Sequence, residues 1–406
     1  MIKNVVVVGD YGYVDGGATK IAQETAICLK NAGLDVTYFC CVAPISEELT
    51  NCGIKTVCLN QSDILHEKNR VKGVFRGLNN KKSYKAFKEL LSSLNPAETI
   101  VHVHGWTKAV SGSIFKAIKK MNFKAVITVH DYFLICPNGG LYNYVKKEIC
   151  SLKPMSFKCK TCNCDARSYP QKLFRVLRQK KQNKNILKNK DLNYIFISKF
   201  AQNEFEKRYD KIDDNHKYFL HNPVVFSENR ERIKCEENSE YLFIGRLVTE
   251  KGIEIFCDAV KNANVSATVI GDGELKQKLT ENYPQIKFVG WKSRSEIDTY
   301  LKKARCLIFP SLLYETFGLV PLEAMAYGIP VICPSACASS DFIQNDKTGF
   351  LFSGNANSLA EAIEKTKDNE IIKNTSCCVF ETFDDKKFSK KHYTENLINI
   401  YNEILK

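Results

Sequence analysis

The sequence has no apolar run that approaches the ~20 residues of a membrane-spanning helix. It also has no G-x-G-x-x-G segment, so the fingerprint of a nicotinamide-dinucleotide site is absent. Its first residues lead directly into the apolar run 5–8 and do not have the pattern of a secretory signal peptide. Together these absences predict a globular protein of the cytoplasm rather than an exported or membrane-spanning one.

Cysteine is plentiful, with 17 residues, but the pattern does not favour a disulfide framework. Cys40, Cys41, Cys306 and Cys333 lie inside apolar runs, where a thiol behaves as a small buried side chain. Thiols of cytoplasmic proteins stay reduced. We therefore expect most of the cysteines to be unpaired core residues.

Acidic residues are scarce in the first half of the chain, so the charge is unevenly distributed. Residues 1–220 contain 36 Lys and Arg against 19 Asp and Glu, an excess of 17, whereas the remaining residues contain 23 against 26. The net charge of +14 therefore comes from the first half. This asymmetry predicts an anionic partner for that half, which on charge alone is a membrane surface, a lipid phosphate or a nucleic acid.

Two glutamates eight positions apart mark the most informative stretch, residues 312–328, which read LLYETFGLVPLEAMAYG. The apolar run 306–309 predicts a buried strand before it, and apolar residues from Leu319 onward follow a helical period. Glu315 then lies in the loop and Glu323 about one turn inside the helix. Because the first amides of a helix are unpaired and carry partial positive charge, this turn can hold a phosphate or sugar oxygen.

This stretch resembles the signature of the family-4 glycosyltransferases, through Glu315-x7-Glu323, the Phe-Gly and Pro-Leu-Glu-Ala sequences between them, and the closing Gly-Ile-Pro-Val. Members of that family are retaining enzymes of the GT-B fold that use nucleotide-sugar donors. The resemblance implies that Glu315 contacts hydroxyls of the transferred sugar and that Glu323 binds the ribose. It also implies that the backbone at Phe317, Gly318 and Leu319 faces sugar and phosphate. The alternative explanation is that two glutamates at this spacing simply lie on a solvated helix face.

The loop 245–252, GRLVTEKG, follows a predicted strand at 241–244. Arg246 can make a forked pair with phosphate oxygens, and Lys251 adds a compact positive charge. The loop resembles the G-R-L-x-x-x-K-G segment of the same family, in which both cations hold the diphosphate and offset its developing charge. The resemblance also places Gly271 and Val289 near the nucleotide as backbone contacts.

In the first half, Gly16 and Gly17 follow the first predicted strand and precede a predicted helix at about 18–32. They let the backbone approach a ligand at the helix start, although a tight turn alone would also explain them. His130 ends a predicted strand, a position that faces the ligand crevice of an open α/β sheet. In the resembling family, a glycine pair approaches the donor phosphates and the acceptor, and a histidine contacts the donor sugar.

Length and strand–helix alternation predict an α/β protein of two Rossmann-like domains facing each other across a cleft. The resemblance implies that this architecture is the GT-B fold. We expect an N-terminal, acceptor-binding domain at 1–220 and a linker at 221–238. A C-terminal, nucleotide-sugar-binding domain follows at 239–385. The resemblance implies that a last helix, 386–406, crosses back toward the first domain.

A cysteine-rich insertion at about 132–170 interrupts the alternation. Cys159-x-x-Cys162 can seat two thiolates on one ion, and Cys136 and Cys150 could complete four ligands, with Cys164 as the alternative. A structural zinc would explain how a long insertion stays ordered. An iron–sulfur cluster, unligated thiols or a redox-sensitive loop are the alternatives.

Two basic segments, 68–88 and 172–190, supply most of the excess positive charge. Val71, Val74 and Phe75 lie at helical spacing in the first, which suits an anionic surface at the inner face of a membrane as well as an ordinary solvated helix. No recognised nucleic-acid motif accompanies the charge, so no nucleic-acid partner is expected.

No two aspartates stand two positions apart, so the D-x-D metal-nucleotide motif of the other main glycosyltransferase fold is absent. We therefore expect catalysis without a metal cofactor, in which Arg246, Lys251 and the amides near Phe317 stabilise the leaving group. No acid is obviously placed as a covalent nucleophile, so we expect retention, with the donor phosphate accepting the acceptor's proton.

The predicted function is transfer of a sugar from a nucleotide-sugar, a UDP-sugar in preference to a GDP-sugar, to a hydroxyl of a glycan or lipid-linked acceptor. The setting that the resemblance implies is bacterial surface polysaccharide or glycolipid biosynthesis. The alternatives are a sugar phosphorylase, a UDP-sugar epimerase, and a non-catalytic protein on the same scaffold that binds nucleic acid or another anionic ligand.

Overall fold

The computed structural model describes residues 1–227 and 229–406, and its first half alternates strands with helices. The strands are β1 (Asn4–Val8), β2 (Asp35–Cys40), β3 (Lys55–Cys58), β4 (Thr99–Val103), β5 (Lys124–Thr128), β6 (Tyr142–Asn143), β7 (Glu148–Ile149), β8 (Leu192–Phe196) and β9 (Lys217–Phe219). The helices are α1 (Gly17–Asn31), α2 (Glu47–Asn51), α3 (Arg70–Leu78), α4 (Lys81–Ser92), α5 (Ile114–Lys120), α6 (Phe157–Thr161), α7 (Tyr169–Asn185) and α8 (Lys199–Glu206).

The second half repeats the alternation. Its strands are β10 (Glu240–Ile244), β11 (Ala267–Ile270), β12 (Lys287–Gly290), β13 (Ala304–Ile308), β14 (Val331–Pro334) and β15 (Gly349–Phe352). Its helices are α9 (Ile253–Asn262), α10 (Lys276–Asn282), α11 (Arg294–Leu301), α12 (Leu319–Met325), α13 (Ala356–Lys365), α14 (Asn369–Thr382), α15 (Asp385–Phe388) and α16 (Lys390–Leu405). Among the described helices, none has both the length and the apolarity needed to cross a bilayer.

The main strands form two parallel sheets. The first has the order β3-β2-β1-β4-β5-β8-β9 and the second the order β12-β11-β10-β13-β14-β15. Helices cover both faces of such sheets, so the strands are apolar throughout; β1, for example, reads NVVVV and buries all four valines. The predicted α/β class with two parallel sheets is confirmed.

The last helix, α16, packs on the first sheet and not on the second. Tyr393, Leu397 and Tyr401 are buried in one cluster with apolar residues of β1, β2 and α1. The hydroxyl groups of Thr25 and Tyr393 lie 2.7 Å apart, and the Ile2 amide donates to Asn402 Oδ1 at 2.9 Å. The predicted crossing of the last helix to the first half is confirmed.

The segment between the sheets runs from β9 to β10 and includes the predicted linker, 221–238. Residue 228 of that linker lies outside the described residues. The predicted cysteine-rich insertion contains the short antiparallel pair β6–β7 and the helix α6.

Candidate functional site

The predicted site residues lie at the places where the strand order of each sheet reverses. In the first sheet this place is between β1 and β4, and in the second it is between β10 and β13. At such a reversal the loops leave neighbouring strands in opposite directions and open a crevice at the carboxyl ends of the strands. The Gly16-Gly17 loop follows β1, the Arg246 loop follows β10, and Glu315 follows β13.

A cavity of about 480 Å³ lies between the two halves and joins these loops. The chain thus brings together residues as far apart as Asp15 and Glu323, which are separated by 308 positions. The predicted site residues that line it are Gly16, Gly17, His130, Arg246, Lys251, Glu315, Phe317, Gly318, Leu319 and Glu323. Gly271 and Val289, predicted as backbone contacts of the nucleotide, do not belong to its lining; the Gly271 amide donates to the Gly290 carbonyl at 2.9 Å.

Glu315 is held by a cation and a hydroxyl group. Its Oε1 lies 2.5 Å from Lys251 Nζ and accepts a hydrogen bond from Ser311 Oγ at 2.7 Å. Burial acts to raise the pKa of Glu315, but Lys251, Ser311 and Arg246 outweigh it, so the pKa lies below its usual value. Glu315 therefore carries its charge at neutral pH.

The loop that carries Lys251 reaches Glu315 because Gly252 allows a close approach. Gly252 has φ +71°, and a Cβ atom there would lie 1.9 Å from the Pro310 carbonyl oxygen. The Leu312 amide donates to the Glu250 carbonyl at 3.0 Å, which joins the same two loops. A side chain at position 252 would force them apart.

Glu323 is buried and lies between cations from both halves of the chain. Lys20 Nζ of α1 is 2.9 Å from one carboxylate oxygen, and Arg294 Nη1 of α11 is 2.5 Å from the other. The sequence analysis predicted neither cation. Lys20 lies three residues after Gly17 on the first turn of α1 and lines the cavity. Its position just after the glycine pair could therefore have identified it as a site residue from the sequence. Nothing in the local sequence distinguishes Arg294 from the other arginines of the chain.

His130 contacts the second half through its backbone and the first half through its ring. Its carbonyl oxygen accepts a hydrogen bond from Thr316 Oγ1 at 2.7 Å, and its Nε2 lies 2.8 Å from His104 Nδ1. Burial lowers the pKa of His130 to about 3. The imidazole is therefore neutral at physiological pH, and it offers a polar contact rather than a charge.

The His130 ring belongs to a chain of buried side chains that ends at α16. His102 and His104 project from the end of β4, with ring centroids 4.0 Å apart. The two ring nitrogens of His102 lie 2.6 Å from the Tyr401 hydroxyl and 2.7 Å from Thr128 Oγ1. These contacts fix the orientation of the histidine ring that faces the cavity.

A second depression, of about 410 Å³, continues from the cavity on the side of the first half. It shares Gly16, Gly17, Arg246 and Lys251 with the cavity. Asp15 also lines both, and the other walls of the depression include Asp10, His104, Lys108 and Asp131. Lys108 Nζ lies 2.7 Å from Asp15 Oδ2, and burial raises the pKa of Asp131 to about 6. A ligand in the first cavity thus has an open, polar neighbour site.

The predicted metal ligands do not form a metal site in residues 1–227 and 229–406, where no group of three or more His, Cys, Asp or Glu side chains is arranged to hold an ion. Cys159 and Cys164 are buried beside the amino group of Lys172, which is also buried. Asn138 Nδ2 lies 3.1 Å from Cys164 Sγ. The geometry gives no support to the set Cys136, Cys150, Cys159 and Cys162 or to Cys164 as a replacement. The zinc stays a prediction that metal analysis of the purified protein tests.

Comparison with known proteins gives one matching family. Residues 225–377, which contain every cavity residue of the second half, match the model described as glycosyl transferases group 1. An uncharacterized glycosyltransferase of Methanocaldococcus jannaschii, MJ1178, is 29% identical over 221 residues, which cover 52% of this chain and 59% of that protein. The capsular polysaccharide biosynthesis glycosyltransferase CapM of Staphylococcus aureus is 29% identical over 40% of this chain and 46% of its own length. The chain thus spans about half the length of these relatives.

Solved structures match over nearly the whole chain. A glycosyltransferase from Rickettsia africae has a TM-score of 0.69 at 20% identity and covers 100% of this chain and 99% of its own. Alr3699/HepE of Anabaena, solved in complex with UDP-glucose, has a TM-score of 0.65 at 15% identity over 98% of this chain and 99% of its own. The predicted resemblance to the glycosyltransferases is confirmed: residues 225–377 match the model of glycosyl transferases group 1, and the chain has the GT-B fold of the matching structures.

Proposed function

We propose that the protein is a retaining glycosyltransferase that moves a sugar from a UDP-sugar to a hydroxyl group of a glycan or lipid-linked acceptor. The observation that carries the proposal is the shared cavity, which places Arg246, Lys251, Glu315, Glu323 and His130 around one space. The UDP-glucose complex of Alr3699/HepE supports the choice of base, because that protein has the same fold. The similarity to CapM supports a role in surface polysaccharide assembly.

The charges around the cavity suit a nucleoside diphosphate. Lys251 is bound to Glu315, whereas Arg246 is exposed and forms no ion pair with the carboxylates of the described residues. A guanidinium group in this position can make two parallel hydrogen bonds to phosphate oxygens. The backbone of Gly318 and Leu319 lies at the start of α12, where no side chain caps the helix. Arg246, Lys251 and these amides would stabilise the charge that develops on the diphosphate as it leaves.

The carboxylates of the cavity are engaged in ways that argue against a covalent intermediate. Glu315 is held by Lys251, Glu323 by Lys20 and Arg294, and Asp15 by Lys108. In the proposed reaction the bond between the sugar carbon and the diphosphate breaks, and a bond to the acceptor oxygen forms on the same face. The acceptor's proton passes to the departing phosphate oxygen, so the products are UDP and a glycoside. Neutral His130 would contact the sugar without taking the proton.

The test is hydrolysis of UDP-sugars in the absence of acceptor, followed as UDP release. Arg246→Ala is expected to lower the rate by about 100-fold or more, since the loss of one group that stabilises transition-state charge typically has this effect. Lys287→Ala is the matched control, because Lys287 is an exposed cation of the same half that pairs with Glu240 away from the cavity. The rate is expected to persist in EDTA, since protein cations replace a divalent ion in the proposal.

The proposal fails if Arg246→Ala hydrolyses donor at the rate of the unchanged protein. It also fails if none of UDP, GDP, ADP and their sugars raises the melting temperature of the parent or of the variant. A melting temperature that rises only with GDP or GDP-sugars would support sugar transfer with a GDP-sugar as the donor instead of a UDP-sugar.

A further inference from the structure

Two neighbouring helices of the first half expose a row of large apolar side chains. On α3 these are Val71, Val74 and Phe75, with exposed fractions of 65%, 40% and 69%. On α7 they are Leu173 and Leu177, with exposed fractions of 43% and 57%. We call these five side chains, with the lysines around them, the α3–α7 face. Single exposed apolar residues are ordinary, but five on two packed helices mark an interaction surface.

The two helices that carry this face pack directly on each other. The buried side of α3 lies on α7, where a Cβ atom at Gly77 would come within 2.7 Å of the Phe174 ring. Phe75 of α3 and Lys181 of α7 line one depression of the surface. The short helix α6 also contacts α7 and exposes 80% of Phe157. Both α3 and α6 therefore pack on α7, the helix that exposes Leu173 and Leu177.

The charge around the face is almost entirely positive. Residues 64–88 and 140–190 contain 22 Lys and Arg and only three acidic residues, Glu67, Glu148 and Asp165. Each of the three is already paired, with Arg76, Lys146 and Arg175. The excess of 19 is larger than the net charge of the whole chain, +14. The face is thus complementary to a polyanionic surface.

The combination of aliphatic side chains with lysines distinguishes a bilayer from a nucleic acid as the partner. Lysines would serve either partner, because they bind phosphates of nucleic acids and of lipids alike. Of the five apolar side chains only Phe75 could stack on a base, whereas Val71, Val74, Leu173 and Leu177 are aliphatic and can neither stack nor form hydrogen bonds. An amphipathic helix in a bilayer interface buries such side chains in the acyl region and places lysines at anionic headgroups.

The inner side of α7 connects this face to the candidate site. Arg178 Nη1 donates to the Thr107 carbonyl at 2.9 Å, and Trp106 Nε1 donates to Gln182 Oε1 at 3.0 Å. Thr107 and Lys108 line the depression that continues from the cavity. One helix therefore carries the exposed apolar row on one side and supports a wall of the site on the other.

We propose that the α3–α7 face docks the first half of the protein on an anionic lipid bilayer. Lipid-linked acceptors then enter the site past α7 and the Trp106–Lys108 loop. The docking stands on the surface itself, and the assignment of a lipid-linked acceptor rests on the proposed function.

The experiment is flotation with vesicles of phosphatidylcholine alone or mixed with phosphatidylglycerol, with a thermal shift by UDP measured on the same samples. The test variants are Val74→Glu with Phe75→Glu, and Leu173→Glu with Leu177→Glu. Ile371→Glu is the matched control, because Ile371 is a similarly exposed apolar residue on α14 of the other half. A third variant, Lys180→Glu with Lys181→Glu and Lys184→Glu, changes only exposed side chains and keeps the test valid if an apolar variant does not fold.

The expected result is binding to mixed vesicles only, weaker above about 0.1 M salt, where charges are screened beyond about 10 Å. Each test variant is expected to bind mixed vesicles at least about tenfold more weakly than the parent. A reduction of this size is what the loss of two buried apolar side chains produces. Ile371→Glu is expected to bind like the parent. Absence of vesicle binding by the parent, or equal binding by the variants, overturns the proposal. Binding of RNA that depends on this face, without vesicle binding, assigns it to a nucleic acid. Vesicle binding without any nucleotide shift overturns the proposed function alone.

Discussion

At the scale of single residues, the candidate site depends on pairs that no local pattern reveals. Lys20 and Glu323 lie 303 positions apart, yet their charged groups are 2.9 Å apart. The sequence predicted Glu323, Glu315, Arg246 and Lys251 because each stands in a motif with a strand before it. It could not predict which cation faces which carboxylate across the cavity, because that depends on how the two halves sit together.

The glycine pair gives a test that separates ligand approach from a simple tight turn. A Cβ atom at Gly16 would meet no protein atom within 4 Å. The backbone of Gly16 is extended, with φ 167°, a conformation that any residue can adopt. Gly16→Val is therefore expected to leave the free energy of unfolding within about 0.5 kcal/mol of the parent. Its side chain would fill space beside the diphosphate, so UDP-sugar hydrolysis is expected to fall.

The measurements are a thermal melt and the UDP-release assay on the same preparation. Gly252→Ala is the contrasting variant, because its Cβ atom would collide with the Pro310 carbonyl, and it is expected to lower the melting temperature as well. If Gly16→Val keeps full hydrolysis, the glycine pair serves only the turn.

At the scale of elements, strand ends were easier to predict than helix boundaries. His104 and His130 follow β4 and β5, which pair in parallel, so their meeting at one sheet edge agrees with the strand order. The basic segment 68–88 covers α3 and the first part of α4. Asn80 begins the second of these helices, where its side chain accepts a hydrogen bond from the Ser83 amide and donates to the Ala109 carbonyl. The first interaction is a local capping signal, whereas the second depends on the tertiary fold.

The buried histidines of β4 and β5 predict a loss of stability in acid. Burial lowers the pKa values of His102 and His130 to about 3, whereas an unfolded chain binds the proton near pH 6.5. Their contribution is fully present above the unfolded pKa and is lost as pH falls from about 6.5 toward 3. Between pH 7 and pH 5 each should cost about 2 kcal/mol of unfolding free energy.

Urea unfolding at the two pH values measures this effect. His102→Asn is expected to be less stable than the parent at pH 7, because it loses packing and a hydrogen-bond partner of Tyr401. Its stability should nevertheless fall less between pH 7 and pH 5, by about 2 kcal/mol. An equal fall in both proteins would show that His102 does not cause the pH dependence.

At the scale of the whole molecule, the chain passes between the two halves twice, once through the linker and once into α16. The alternation of strands and helices and the family resemblance predicted both sheets and this return. The cavity between the halves agrees with the cleft predicted from candidate ligand residues at the ends of strands. That Gly271 is not part of the cavity lining was not predicted; its amide donates to the Gly290 carbonyl at the end of β12.

Leu397→Ala tests how much the returning helix stabilises the first half. Leu397 is fully buried in the cluster that joins α16 to the first sheet, and such a truncation costs about 2–5 kcal/mol. Buried Trp106 of the first half reports the transition by its fluorescence, since Trp291 is already exposed. Asn399→Ala, an exposed change on the same helix, is expected to unfold like the parent. An unchanged transition in Leu397→Ala would mean that α16 adds little to the first half.

The helix α16 follows the second sheet in the chain but packs on the first sheet. Expressing the residues before and after the linker as two separate chains would therefore not yield two independently folded proteins. The leading fragment would present an open trough where Tyr393, Leu397 and Tyr401 had been, and it would tend to aggregate. The trailing fragment would carry an amphipathic helix without a binding surface. When the two fragments are mixed, they should associate, because α16 of the trailing fragment can bind the exposed apolar surface of the leading fragment.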